Sequence, residues 1–242
     1  MRVLKQGPML VLAFCLWAVG KAQAADIRVA VAANFRGPME SLADSFAAET
    51  GYEISISAGS SGQLFAQIAN GAPFDLFLSA DQQRPARLIE LGLAIPESRF
   101  TYAEGRLYLL MRDLKALDST PPDLRSVRRI SIANPRTAPY GAAALQVLET
   151  LDFPAEAPLL AEAQSIAGVN AAMAAGAVDA GFAAYSSVRT LSSEAPPGWL
   201  VPRDLHDPIR QDVVLLTRAA DITAASALLT WLGLDTARGL IL

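Results

Sequence analysis

Four short segments of this chain share one arrangement: the end of an apolar run, a small or polar residue, then the start of a helical pattern. They are Ala33-Asn34, Ser60-Ser61, Ala138-Pro139-Tyr140-Gly141 and Ser165-Ile166. The first backbone N–H groups of a helix have no partner inside it, and the aligned peptide dipoles put partial positive charge at the same end. Such a terminus holds an anion without any Lys or Arg. Small side chains let the backbone come close to it. If the strands' carboxyl ends converge, as at ligand sites in open α/β sheets, the four starts face one cleft and can satisfy a dianion together. Taken singly, Ser and Asn at these positions are also ordinary N-caps.

Catalytic chemistry finds little support. His206 is the single histidine, in Asp204-Leu205-His206-Asp207-Pro208. A histidine beside an aspartate could form an acid–base pair for a secreted hydrolase, but such a residue in a connecting loop is commonly a solvated one. There is no Gly-x-Ser-x-Gly elbow and no His/Cys/Glu cluster at metal spacing. Ser60 or Ser61 as a nucleophile lacks a base nearby in sequence. An organic carboxylate ligand usually calls for a bidentate arginine, and Arg36, Arg84 and Arg136 lie near the four segments. Capture and release, rather than an enzymatic step, is the chemistry this pattern supports. No cofactor is expected.

Strands and helices alternate around these segments. Ile27–Ala32 reads as a buried strand, followed by a helix with Met39, Leu42, Phe46 and Ala47 at helical spacing and Gly51 as its stop. Strand 53–57, helix 62–70 and strand 74–79 come next, then helix 82–91. Strands are expected at 106–111, 129–133, 180–184, 199–201 and 212–217. Helices are expected at 141–151, from Ser165 as cap to Ala175, and at 219–234. Alternation of this kind indicates α/β layers with mainly parallel pairing. Asp118–Asp123 and Ser192–Gly198 read as surface loops.

The chain opens with Arg2 and Lys5, an apolar run from Met9 to Val19, and the small-x-small triplet Ala22-Gln23-Ala24. That is the pattern of a cleaved secretory leader over residues 1–24; the apolar run is too short to span a bilayer. Cys15, the single cysteine, falls inside it, so the exported protein has neither disulfide nor thiolate metal site. Removing Arg2, Lys5 and Lys21 takes the net charge from −4 to −7. An acidic surface without a long basic run excludes a nucleic-acid partner.

The stretch from Gly59 to Asp81, Gly-Ser-Ser-Gly-Gln-Leu-Phe-Ala-Gln-Ile-Ala-Asn-Gly-Ala-Pro-Phe-Asp-Leu-Phe-Leu-Ser-Ala-Asp, is the most specific segment. It resembles the second anion loop and following strand of the periplasmic molybdate-binding proteins of ABC transporters. Val31-Ala32-Ala33-Asn34 resembles that family's first loop, Asn134–Gly141 its third and Gln164–Val169 its fourth. The similarity covers essentially the whole exported chain.

The resemblance implies an α/β type II periplasmic binding protein with two lobes and a ligand cleft between them. One lobe is expected at 25–104 plus 206–242 and the other at 105–205, hinged by two crossover strands. It implies that Asn34 and Ser61 hold molybdate or tungstate through side chain and backbone. Ala33, Tyr140 and Ile166 would do so mainly through backbone N–H groups. It also implies a monomer in the periplasm that delivers its oxyanion to an ABC permease. The chain departs from the family twice. A ligand-binding Tyr of some members aligns with Ala184, so Tyr185 falls one residue late and is expected to be structural. The chain also stops at Gly239-Leu240-Ile241-Leu242, where the family usually continues with an aromatic-containing tail.

Physical chemistry narrows the ligand. Molybdate and tungstate are fully deprotonated dianions at neutral pH, and a site of donors alone satisfies them. Hydrogen phosphate carries a proton that needs an acceptor, and an unpaired buried polar group costs ~1–3 kcal/mol. No acidic residue stands in the four segments. Sulfate, or a small organic anion, is the alternative ligand.

Overall fold

The computed structural model describes residues 26–112, 121–122, 124, 127–153, 160–191 and 196–234. The leader with Cys15, the C-terminal residues 239–242, most of 118–123 and the first part of 192–198 lie outside the described residues.

The chain runs β1 (Asp26–Ala32), α1 (Arg36–Thr50), β2 (Glu53–Gly59), α2 (Ser61–Ala69), β3 (Leu76–Leu78), α3 (Gln83–Glu90) and β4 (Phe100–Gly105). It continues through β5 (Leu107–Met111), β6 (Ile130–Ala133), α4 (Pro139–Thr150), β7 (Leu160–Ala163), α5 (Ile166–Ala174) and β8 (Ala180–Ala184). It ends with α6 (Tyr185–Leu191), β9 (Gly198–Leu200), β10 (Ile209–Leu215) and α7 (Ile222–Leu232). The strands form two five-stranded sheets, ordered β2-β1-β3-β10-β4 and β7-β6-β8-β5-β9. Each sheet with its helices is one lobe of an α/β, two-lobed fold.

The expected mainly parallel pairing is corrected. β1 pairs parallel with β2 and β3, and β6 with β7 and β8. The pairs β10–β3, β10–β4, β5–β8 and β5–β9 are antiparallel. The cause is the crossing between lobes. β4 passes straight into β5 through the single residue Arg106, and residues 201–208 carry the chain back from β9 to β10. A strand that enters a sheet from the other lobe arrives from the cleft side and runs against its parallel neighbours. Three elements were also missed: β4, β7 and α6. Leu160-Ala-Glu-Ala163 is an edge strand with exposed Leu160 and Glu162, and its residues are good helix formers. Tyr185-Ser-Ser-Val starts a helix without a break after β8, and its β-branched and Ser residues give it little helical signal.

The sheet of the first lobe is covered on both faces, as parallel strands require. Val29 and Val31 of β1 pack with Phe35, Met39, Leu42, Phe46 and Trp231. The intervening Ala30 faces the other way, with Leu64, Ile68, Phe77 and Leu88. This is the period-2 alternation of a strand, with both faces apolar. α1 supplies Met39, Leu42 and Phe46 from one stripe and stops at Gly51, whose φ of 78° suits glycine and whose N–H closes on the Ala47 carbonyl. The core of the second lobe gathers Leu107, Leu109, Ile130, Ile132, Val147, Phe182 and Trp199. Both sheets aim the carboxyl ends of their parallel strands at the space between the lobes, so the four loops singled out above meet there.

Candidate functional site

Ala33, Asn34, Ser61, Tyr140 and Ile166 all line one cavity between the lobes, with Ser60, Ala80, Pro139 and Ser165 among its other walls. The cavity is small, about 10 Å³, the room of roughly one water. A four-oxygen anion enters only if the loops part and re-close around it. Among the described residues, no Asp, Glu, Lys or Arg lines it.

Its chemistry follows from which backbone donors are already used. At α2 the N-cap is Ser60, one residue earlier than a Ser61 cap would be. Ser60 and Gln63 form a reciprocal capping box: the Gln63 N–H donates to Ser60 Oγ, and the Ser60 N–H donates to Gln63 Oε1. The Gly62 N–H donates to the Thr137 carbonyl at 2.8 Å. Of the first donors of α2, only the Ser61 N–H has no acceptor among the described residues. The Ser61 hydroxyl, 1 % exposed, accepts the Ala80 N–H at 2.9 Å. One of its two lone pairs is thereby engaged, and its O–H is left to donate into the cavity.

The third loop behaves in the same way. The Thr137 and Ala138 N–H groups both return to the Asn134 carbonyl, and the Gly141 N–H reaches the Ala138 carbonyl. Pro139 has no N–H and suits the first helical position. The Tyr140 N–H remains. At α5 the Val169 N–H closes the first helical bond on Ser165, and the Ile166 N–H has no acceptor among the described residues. Ser165 occupies the N-cap position, but its hydroxyl makes no capping bond, which corrects the expectation that it caps this helix.

Asn34 is buried, and its side-chain amide donates to Gln211 Oε1 at 2.7 Å. Burial pushes the Tyr140 hydroxyl well above the ordinary phenol range, and the nearby Asn34 side chain only partly offsets it. The hydroxyl therefore stays neutral throughout the physiological range. Asn34 thus ties the first loop to Gln211 of β10, and its carbonyl accepts from the Ser186 hydroxyl of α6 across the cleft. Gln211 was not expected at the site. β10 is distant in sequence, and nothing local marks a glutamine as the partner of Asn34.

The other candidates lie elsewhere. Tyr185 is stacked at a tilt against Tyr108, with ring centres 5.6 Å apart, beside a separate inter-lobe cavity of about 770 Å³. His206 Nδ1 contacts the Asp207 carbonyl at 2.7 Å, while the Asp207 carboxylate accepts from Gln146. The imagined His–Asp pair is not assembled. Arg36 pairs with Glu40, and Arg84 with Asp81. The Arg136 backbone N–H turns back on Asn134 Oδ1, and its carbonyl accepts from Arg84. None of these three arginines lines the small cavity. Among the described residues, no group of His, Cys, Asp and Glu could hold a metal ion, and no helix is long and apolar enough to cross a membrane.

Comparison with known proteins gives a consistent picture. The family model of bacterial extracellular solute-binding proteins matches residues 27–241. The molybdate-binding protein ModA of Azotobacter vinelandii is 44% identical over 87% of this chain and 85% of its own length. ModA of Rhodobacter capsulatus is 41% identical over 87% of this chain and 84% of its own. The solved structure of the Azotobacter vinelandii periplasmic molybdate-binding protein superposes with a TM-score of 0.85 at 37% identity, covering 89% of this chain and 96% of that one.

Proposed function

This chain belongs to the bacterial extracellular solute-binding protein family, and on that premise we propose that it captures molybdate or tungstate in the periplasm and delivers it to an ABC permease. The observation that carries this reading is the set of unused donors: the Ser61 N–H and O–H and the Tyr140 and Ile166 N–H groups, at one cavity without a carboxylate. Donors without acceptors suit an anion that carries no proton. The helix starts supply the balancing partial charge, so no basic side chain is needed. The relatives named above are molybdate-binding proteins, which supports the same ligand here.

In this reading Ser61 binds through hydroxyl and backbone, and Tyr140, Ile166 and Ala33 through backbone. Asn34 holds the loops in place as well as facing the anion. The chain acts as a monomer, performs no chemical step, and reaches the periplasm through its leader. The anion enters between parted lobes, and closure brings the two sets of donors together.

Isothermal titration with molybdate, tungstate, sulfate and phosphate, in a buffer free of other oxyanions, tests it. Tight one-to-one binding of the first two with weaker binding of the others is the expected result. Preference for sulfate would move the chain to the alternative ligand. Heat with none of the four would overturn oxyanion capture altogether.

A further inference from the structure

Three consecutive residues in the first turn of α2 have three destinations. Ser61 faces the cavity. The Gly62 N–H crosses to the Thr137 carbonyl at 2.8 Å. Gln63 Nε2 crosses to Gln164 Oε1 at 2.7 Å. Thr137 belongs to the third loop, and Gln164 lies just before Ser165 in the fourth. One turn of helix in the first lobe therefore grips both anion loops of the second.

Gln63 has both ends of its amide engaged. Its oxygen accepts the Ser60 N–H in the capping box, and its nitrogen bonds Gln164. A glutamate would complete the capping box equally well but has no N–H to send across the cleft. Glutamine is the residue that does both.

We propose that the Gln63–Gln164 bond is a clasp that sets how fast a captured oxyanion leaves, so that Gln63 and Gln164 are positioning residues for release rather than ligand contacts. This inference rests on the reading of oxyanion capture given above. Release requires the lobes to part, and parting breaks this bond. The ligand-free protein exchanges between an open cleft and the clasped form, and capture begins from the open one. Loss of the bond therefore raises the dissociation rate and does not slow association. The net strength of one ordinary hydrogen bond corresponds to about a three- to tenfold change in rate.

Stopped-flow binding of molybdate to the wild type, Q164A, Q63A and the double variant forms the test. Gln164 is exposed, so Q164A keeps its fold and leaves the capping box intact. Each single substitution is expected to raise the dissociation rate about three- to tenfold, with association no slower than in the wild type. The double variant should fall short of the product of the singles, since the shared bond is lost only once. Q63A also loses the capping box and should lower the melting temperature of the ligand-free protein; Q164A should not. An unchanged dissociation rate in Q164A, a defect confined to association, or independent effects in the double variant would each overturn the clasp.

If the wild type binds no molybdate, the proposed ligand fails, and a second measurement still tests the clasp. Spin labels at E90C and E149C, both exposed positions on opposite lobes, in a C15S background report the distance between lobes. Q164A should lengthen that distance in the ligand-free protein. An unchanged distance distribution would refute the proposal whatever the ligand.

Discussion

The Ser61 hydroxyl accepts the Ala80 N–H at 2.9 Å, which ties the start of α2 to the end of the β3 segment and leaves its O–H to donate into the cavity. Ser61→Ala removes that acceptor, strands a buried N–H, and takes away the hydroxyl that the proposed function gives to the ligand. The expected stability loss is ~1–3 kcal/mol, with molybdate affinity at least about tenfold weaker, equivalent to ~1.4 kcal/mol. Ser165→Ala, which loses no capping bond, should change affinity by less than about threefold, under ~0.7 kcal/mol. Titration and thermal melts of both variants check the contrast, and equal or reversed effects would sink the assignment of Ser61.

Gly62 lies at a close contact between the lobes, its N–H bonded to the Thr137 carbonyl. A Cβ there would stand 2.9 Å from Thr137 Cα and 3.0 Å from its Cβ. Backbone atoms yield poorly, so Gly62→Ala should hold the lobes apart and weaken molybdate binding by about tenfold or more, ~1.4 kcal/mol on the scale of a lost cross-lobe contact. Thermal stability of the ligand-free protein should change little, because each lobe keeps its own core. Small-angle scattering with saturating molybdate should show the variant more extended than the wild type; an identical profile would refute this.

Ligand selection should be nearly independent of pH. Among the described residues, Tyr140 is the one titratable side chain lining the cavity, and burial keeps its hydroxyl protonated. From about pH 6 to 8 no group at the cavity changes charge, so molybdate affinity should stay flat. Phosphate should bind weakly throughout, since among the described residues no carboxylate lines the cavity to accept its proton. Titration at the two ends of that range tests both statements. A phosphate affinity close to that of molybdate would show an acceptor in the site.

Acid should weaken the first lobe through Asp75. Its carboxylate is buried and accepts from the Arg28 N–H at 2.7 Å, the Arg28 guanidinium at 2.8 and 3.0 Å, and the Ala220 N–H at 2.8 Å. Burial by itself would raise its pKa, but the Arg28 and Ala220 bonds win and hold it below the ordinary aspartate value. A depressed folded-state pKa contributes stability that is complete above the unfolded value, about 4, and is lost as pH falls toward the lower folded one. Asp75→Asn should cost about 3 kcal/mol at neutral pH by leaving Arg28 half-buried without its partner. It should also flatten the decline below about pH 4. Urea melts at neutral and acid pH would detect both, and an unchanged acid slope would count against Asp75 as its source.

Much of this architecture is encoded locally. The helical spacing of Met39, Leu42 and Phe46 and the stop at Gly51 depend on residues within a few positions of one another, and the sequence alone places them. The small-residue starts at Ser61, Tyr140 and Ile166 are also local, because unpaired N–H groups belong to any helix terminus. The lack of acidic residues in the four loops is likewise a property of the chain itself.

Other features depend on residues brought together from afar. Ser60 and Ser61 are chemically the same, and only the rotation of α2 about its axis makes one a cap and the other a donor into the cavity. Gln63 meets Gln164 across 101 positions, and Asn34 meets Gln211 across 177. No local signal specifies either partner, since a glutamine side chain is equally content with water. Strand direction was likewise decided by the path between lobes through Arg106, and the seat of Tyr185 by its packing on Tyr108. The sequence by itself determined which backbone groups would be left wanting an anion. Tertiary packing decided which of them were already used and which turned toward a common point, because hydrogen bonds are filled by the nearest partner in space.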